Sequence, residues 1–175
     1  MGHSYTVKDQ TAIHFVTFTV HQWVDVFTRQ LYVDILLDSI RHCQEHKGLQ
    51  VYAWVVMSNH CHLIISSTRV PLSDIIRDLK KFTAKKIILA IEENERESRK
   101  SWLLWLLKKD GNLWFWEPGY HGEEINTKKF LDSKIQYIHS NPVRAGIVEK
   151  EEEYLNGSCG EFYGIRRSSL VLAEV

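Results

Sequence analysis

Leu49–Ser66 reads LQVYAWVVMSNHCHLIIS, two apolar runs separated by the turn-forming pair Ser58-Asn59. Leu49 to Met57 is rich in β-branched and aromatic residues and His60 to Ser66 alternates, so the two runs read as the antiparallel strands of a hairpin. Residues two apart in a strand point to the same face. His60 and His62 therefore project together, while Cys61 and Leu63 project to the other side. Two imidazoles side by side are a candidate metal hand, although an H-x-H spacing alone is more often a pair of strand histidines with no ligand.

Outward from this hairpin the chain alternates between the two periodicities. Upstream, Ile13 to Val20 (IHFVTFTV) reads as a first strand. Arg29 to Lys47 carries Leu31, Ile35, Ile40 and Cys43 at roughly helical spacing, with Gly48 as the stop. Downstream, Pro71 and the capping candidate Ser73 open a helix that turns Ile75, Ile76, Leu79, Phe82, Ile87 and Leu89 inward and ends near the acidic run Glu92 to Glu97. Ser98 to Lys109 fits a helix face through Trp102, Leu103, Trp105 and Leu106, while Asp110-Gly111 equally suits a hairpin turn; helix is favoured. Leu113 to Trp116 is a short aromatic strand. Thr127 caps a last helix that Asn141-Pro142 should end near Ser140.

The order strand, helix, strand, strand, helix, strand, helix is that of an α+β chain with a ferredoxin-like split β-α-β core. This arrangement makes an antiparallel sheet with helices on one face and leaves the other free for a ligand. At 175 residues a single domain is expected, here residues 1–148, with residues 149–175 as a tail packed on it.

Lys plus Arg equals Asp plus Glu at 22 each, so no bulk charge draws the chain to nucleic acid, and any DNA-binding surface is local. Cys43, Cys61 and Cys159 are odd in number and widely spaced, which excludes a C-x-x-C zinc site and fits a reducing cytoplasm. No apolar run approaches the roughly 20 residues of a membrane span. Met1-Gly2-His3-Ser4-Tyr5-Thr6 satisfies the loose myristoylation pattern, but without a polybasic partner it reads as coincidence.

Two motifs stand out as a set: Met57-Ser58-Asn59-His60-Cys61-His62-Leu63-Ile64, and Tyr137-Ile138-His139-Ser140-Asn141-Pro142-Val143-Arg144-Ala145-Gly146. A histidine-hydrophobe-histidine strand followed by a helix-borne tyrosine resembles the HUH single-tyrosine transposases of bacterial insertion sequences. The Tyr-x-x-x-Asn-Pro-Val-Arg-Ala-Gly run resembles their REP-associated tyrosine transposase branch, and the likeness extends over most of the chain. The family commonly has Pro where Ser58 stands and an aliphatic residue where Cys61 stands, both beside the metal hand.

The resemblance implies that His60 and His62 bind a divalent metal, Mg²⁺ or Mn²⁺, with Asn141 at the position of the third protein ligand. It implies that Tyr137 is the nucleophile, cutting and rejoining single-stranded DNA near hairpins through a 5′-phosphotyrosine. The spacing agrees independently, because residues four apart on a helix share a face, so Tyr137 and Asn141 reach toward one site. A homodimer whose tyrosine helices serve each other's sites is compatible with the family.

Arg77, Lys80, Lys81, Lys134 and Arg144 are candidate phosphate contacts, with Trp114, Trp116 and Tyr120 as candidate stacking surfaces. His121 follows a Gly-Tyr turn and His139 faces away from Tyr137 on its helix. The competing readings are a hairpin-binding module without catalysis and a nucleotide hydrolase with H-x-H chemistry. The first is opposed by the intact Tyr-His-His-Asn set, the second by the lack of further histidines close to His62.

Overall fold

The structure is a computed structural model that describes residues 5–174; Met1 to Ser4, where the myristoylation-like pattern begins, and Val175 lie outside the described residues. In chain order its elements are β1 (Ile13–Thr19), α1 (Gln30–Lys47), β2 (Leu49–Val56), β3 (His60–Ser67), α2 (Leu72–Glu93), α3 (Lys100–Leu106), β4 (Lys108–Lys109), β5 (Asn112–Leu113), β6 (His121–Ile125), α4 (Lys128–Arg144) and α5 (Cys159–Phe162). Four strands form one antiparallel sheet in the order β2-β3-β1-β6. β3 lies between β1 and β2, which is the split β-α-β arrangement expected.

Alternation divides each strand between two cores. Val16 and Phe18 of β1, Trp54 and Val56 of β2, and Cys61, Leu63 and Ile65 of β3 pack beneath α1 and α2, against Leu36, Ile40, Leu72, Ile76 and Leu79. Cys61 is fully buried there, and burial pushes its thiol up to about 12, so it behaves as a small apolar side chain. Gly48 ends α1 at φ 75°, the left-handed conformation a C-terminal glycine supplies without a Cβ clash.

The opposite face is not left free. Leu131 and Ile138 of α4 pack there on Phe15, Ala53, Val55 and Ile64. Each such buried aliphatic contributes about 1.5–3 kcal/mol, enough to hold α4 to the sheet. The face is therefore shared between a small apolar core and the polar residues beside it.

Four expectations about local structure are corrected. The fourth strand of the sheet is His121–Ile125, not 113–116: Leu113 joins the small β4-β5 hairpin and Trp116 makes an isolated bridge to Val20. Its sequence, HGEEI, carries one large aliphatic residue because it is an edge strand that turns polar groups to solvent. On α2, which begins after Pro71, Ser73 is no cap, and Phe82 and Leu89 face outward, 53% and 41% exposed. α4 runs through Pro142 to Arg144, since Ala145 N–H still reaches the Asn141 carbonyl at 3.0 Å. At 98–113 both readings hold in succession, a helix and then a two-residue hairpin turn with Asp110 at φ 50° and Gly111 at φ 81°.

From residue 149 onward the chain lies along the free edge of β2. Tyr154 Oη donates to the Val56 carbonyl at 2.7 Å, Trp54 Nε1 donates to Ser168 Oγ at 2.8 Å, and Gly157 and Leu172 form bridges to Val55 and Val51. An otherwise open row of backbone groups is thereby covered. No helix among the described residues is long and apolar enough to cross a membrane.

Candidate active site

The strand register assembles the site. Across the β1-β3 ladder Thr17 pairs with His62 and Thr19 with His60, and on the other side of β1 Thr17 pairs with His121. All five therefore lie on the α4 face of the sheet. The imidazoles of His60 and His62 stand 4.8 Å apart between ring centroids. Tyr137, one helical position before the buried Ile138, sets its ring edge-on at 5.3 Å from His62 and 5.8 Å from Phe15, and remains 36% exposed. A side chain from α4 thus meets one from β3 and one from β1.

Each imidazole is oriented through Nδ1. Asn59 Nδ2 donates to Asp25 Oδ1 at 2.9 Å, which turns Asn59 Oδ1 toward His60. That carbonyl oxygen can only accept, so His60 Nδ1 carries the proton in their 2.7 Å bond and Nε2 keeps its lone pair. His62 Nδ1 lies 2.7 Å from Thr17 Oγ1, and donation to that hydroxyl leaves its Nε2 equally free. Burial lowers the pKa of both rings. His62 is brought down to about 3 by desolvation first, then by His60, Arg144, Lys134 and His121. Both are neutral imidazoles at neutral pH, the form that binds a metal.

This donor set fits a divalent cation: two oriented, neutral imidazoles with unengaged Nε2 atoms side by side. No His, Cys, Asp or Glu joins them as a third metal-holding group among the described residues. Asn141 is 8% exposed, and its Nδ2 is buried without a hydrogen-bond partner. Because α4 continues through Pro142, Tyr137, Asn141 and Arg144 share one helix face, and the Arg144 guanidinium sits 4.5 Å over the Tyr137 ring. Lys134 lies one turn earlier, 5.8 Å from that ring and bonded to Glu123 at 2.7 Å. Two cations therefore flank the tyrosine.

The other predicted contacts are not brought to this site. Lys80 is on α2, across the sheet from Tyr137, and its ammonium donates to the carbonyls of Glu117 (2.9 Å) and Gly119. Burial lowers its pKa to about 8, so it ties a loop to the helix and is not free for phosphate. Trp116 is 6% exposed with Nε1 donating to Thr83 Oγ1 at 2.9 Å, a core residue closed to bases. Tyr120 packs edge-on against Phe18 at 6.1 Å. Arg77 is paired with Asp74 and Asp78 on α2, and Lys81 is exposed on the same helix. His139 packs away from the site, with Nε2 3.1 Å from Ser158 Oγ, as its helix position predicts.

Four contributors were missed. Thr17 and Thr19 were visible as polar residues alternating with Val16, Phe18 and Val20. Asp25 and Trp23 lie in the irregular stretch after β1, where no periodicity assigns a direction. Trp23 stands 5.6 Å from His60 between ring centroids.

The model of the family described as "Transposase IS200 like" matches residues 7–141, which spans the first strand to Asn141. The chain belongs to this IS200-like transposase family. Among solved structures, the chain superimposes with a TM-score of 0.71 on a REP-associated tyrosine transposase bound to a REP hairpin, at 18% identity, over 100% of this chain and 93% of that one. That likeness confirms the fold. A protein of Deinococcus radiodurans R1 named as a transposase aligns at TM-score 0.48 and 22% identity, over 79% of this chain and 94% of that one. No curated protein matches the chain.

Proposed function

We propose that the protein is a metal-dependent single-tyrosine endonuclease and strand transferase of the REP-associated type, acting on single-stranded DNA beside hairpins in the cytoplasm. The observation that carries this reading is the meeting of Tyr137 with the oriented His60-His62 pair, 5.3 Å from His62. The fold match to a hairpin-bound transposase supports hairpin DNA as the partner.

In this reading the Tyr137 oxygen attacks the scissile phosphorus and the 3′-oxygen leaves, giving a 5′-phosphotyrosine and a free 3′-hydroxyl. The phosphodiester energy is retained, so the reverse attack by a 3′-hydroxyl rejoins a strand without ATP. Lys134 and Arg144 offer positive charge to the phosphate beside the nucleophile. His60, His62 and the Asn141 amide would hold Mg²⁺ or Mn²⁺, which supplies Lewis-acid polarisation of a phosphate oxygen when bound. The test is capture of end-labelled hairpin oligonucleotides with single-stranded flanks. A covalent species that forms with Mg²⁺ or Mn²⁺ and is absent in EDTA is expected, whereas hairpin binding with no adduct under any metal would favour a binding module without catalysis.

Thr17→Val tests the orienting bond on His62. Valine keeps the shape and strand preference of threonine, so the melting temperature should change little. Loss of such an outer-shell bond typically costs about 10–100-fold in metal affinity or activity. The expected result is a rise of that order in the Mn²⁺ concentration that gives half-maximal cleavage.

A further inference from the structure

Between β1 and α1 the backbone does something costly. Gln22 and Trp23 are consecutive non-glycine residues in the left-handed region, at φ 55° and 57°. L-residues pay for that conformation through the approach of Cβ to the carbonyl oxygen, so it persists only where surrounding contacts impose it. Here they do. Glu117 Oε1 accepts from Gln22 N–H at 2.8 Å and lies 2.9 Å from His21 Nδ1, while Trp23 N–H donates to the Val20 carbonyl at 2.9 Å. Val20 N–H in turn donates to Asn59 O at 2.8 Å, tying the bend to the residue that orients His60.

What this clamp presents is an indole that the fold does not bury. Trp23 is 60% exposed, yet its ring is set edge-on to His60. On the same rim Trp114 is 37% exposed, tilted 6.5 Å from His21, with the Lys109 ammonium 4.9 Å from its ring. Strain spent on holding a large aromatic in water, beside a phosphate-handling centre, points to a ligand with a flat π-face. We infer that Trp23 is a stacking platform for an unpaired base of the strand held at Tyr137, with Trp114 and Lys109 continuing the path outward. This inference rests on the strand-cleavage reading above.

Such stacking tolerates any base and requires only that one be present. The test compares dA12 with a 12-mer of abasic residues of equal charge, by fluorescence anisotropy in EDTA at fixed salt, using the full chain. The protein should bind dA12 more tightly than the abasic strand. Trp23→Ala should weaken dA12 binding about ten-fold while leaving the abasic strand unchanged, and Trp23→Phe should restore most of the loss. Trp23→Gly relieves the positive φ, so it should lose the same base-dependent binding while melting no lower than the unsubstituted protein. Equal dA12 affinity in Trp23→Ala and the unsubstituted protein overturns the platform alone, as does a lower melting temperature in Trp23→Gly, which would make the indole a support of the fold. Failure of the unsubstituted protein to bind either strand overturns the nucleic-acid reading and the platform with it.

Discussion

Replacing Tyr137 with phenylalanine is expected to abolish covalent capture of DNA and to lower strand cleavage by at least about 10³-fold, the scale of losing an essential nucleophile. The substitution removes one oxygen from a ring that is 36% exposed and that packs on His62 and Phe15 through its carbon edges. Folding and hairpin binding should therefore be unchanged, and binding by gel shift separates loss of chemistry from loss of structure. His62→Ala should give the same loss of cleavage by another route, because it removes a metal donor and leaves the nucleophile in place.

The second large effect is on stability and lies far from Tyr137. Glu97, in the connection between α2 and α3, has a fully buried carboxylate. It accepts from Arg29 Nε at 2.5 Å, Arg99 Nε at 3.2 Å, Arg99 N–H at 3.1 Å and Tyr32 Oη at 3.2 Å. Glu97→Ala strands two arginines that are only about a third exposed, and it should destabilise the protein by about 3 kcal/mol, read from urea unfolding. Burial alone would raise the carboxyl pKa, but the hydrogen bonds from Arg29 and Arg99 outweigh it and bring it down to about 2, from 4.5. Its contribution is thus fully present above pH 4.5 and lost as pH falls toward 2. The stability gap between the unsubstituted protein and Glu97→Gln should be constant from pH 7 to 5 and narrow by pH 3.

The sheet and the site were legible to different degrees, for physical reasons that particular residues show. Alternation, partial in IHFVTFTV and clearer in HCHLIIS, indicates which side chains share a face, so the His60-His62 pair followed from strand geometry alone. Its meeting with Tyr137 joins elements far apart in the chain and came only through family resemblance. The edge strand HGEEI was missed because an edge strand needs little hydrophobicity, and the more apolar Leu113–Trp116 drew the assignment instead. Lys80 and Trp116 looked like DNA contacts because they are charged or aromatic near family-like motifs. The loop at 117–119 and Thr83 decide otherwise, and those packing relations leave no local pattern.

Pro142 shows the limit of a local rule. Proline disfavours the helical conformation in the residue before it, yet Asn141 remains in α4, and that extra turn keeps Tyr137, Asn141 and Arg144 on one face. Asp25 and Thr17, which orient the two imidazoles, carry no motif at all. Their roles exist only once the strands are paired and the turn at Ser58-Asn59 is closed.

The central claim is that Tyr137 becomes joined to DNA. It is tested most directly by incubating the protein with Mn²⁺ and a pool of hairpin oligonucleotides with single-stranded flanks, then digesting the covalent species and mapping the modified peptide by mass spectrometry. The predicted result is a nucleotide 5′-phosphate on Tyr137, with a free 3′-hydroxyl on the released strand. A 3′-phosphate linkage, attachment to any other residue, or cleavage that leaves no protein-bound strand would contradict it.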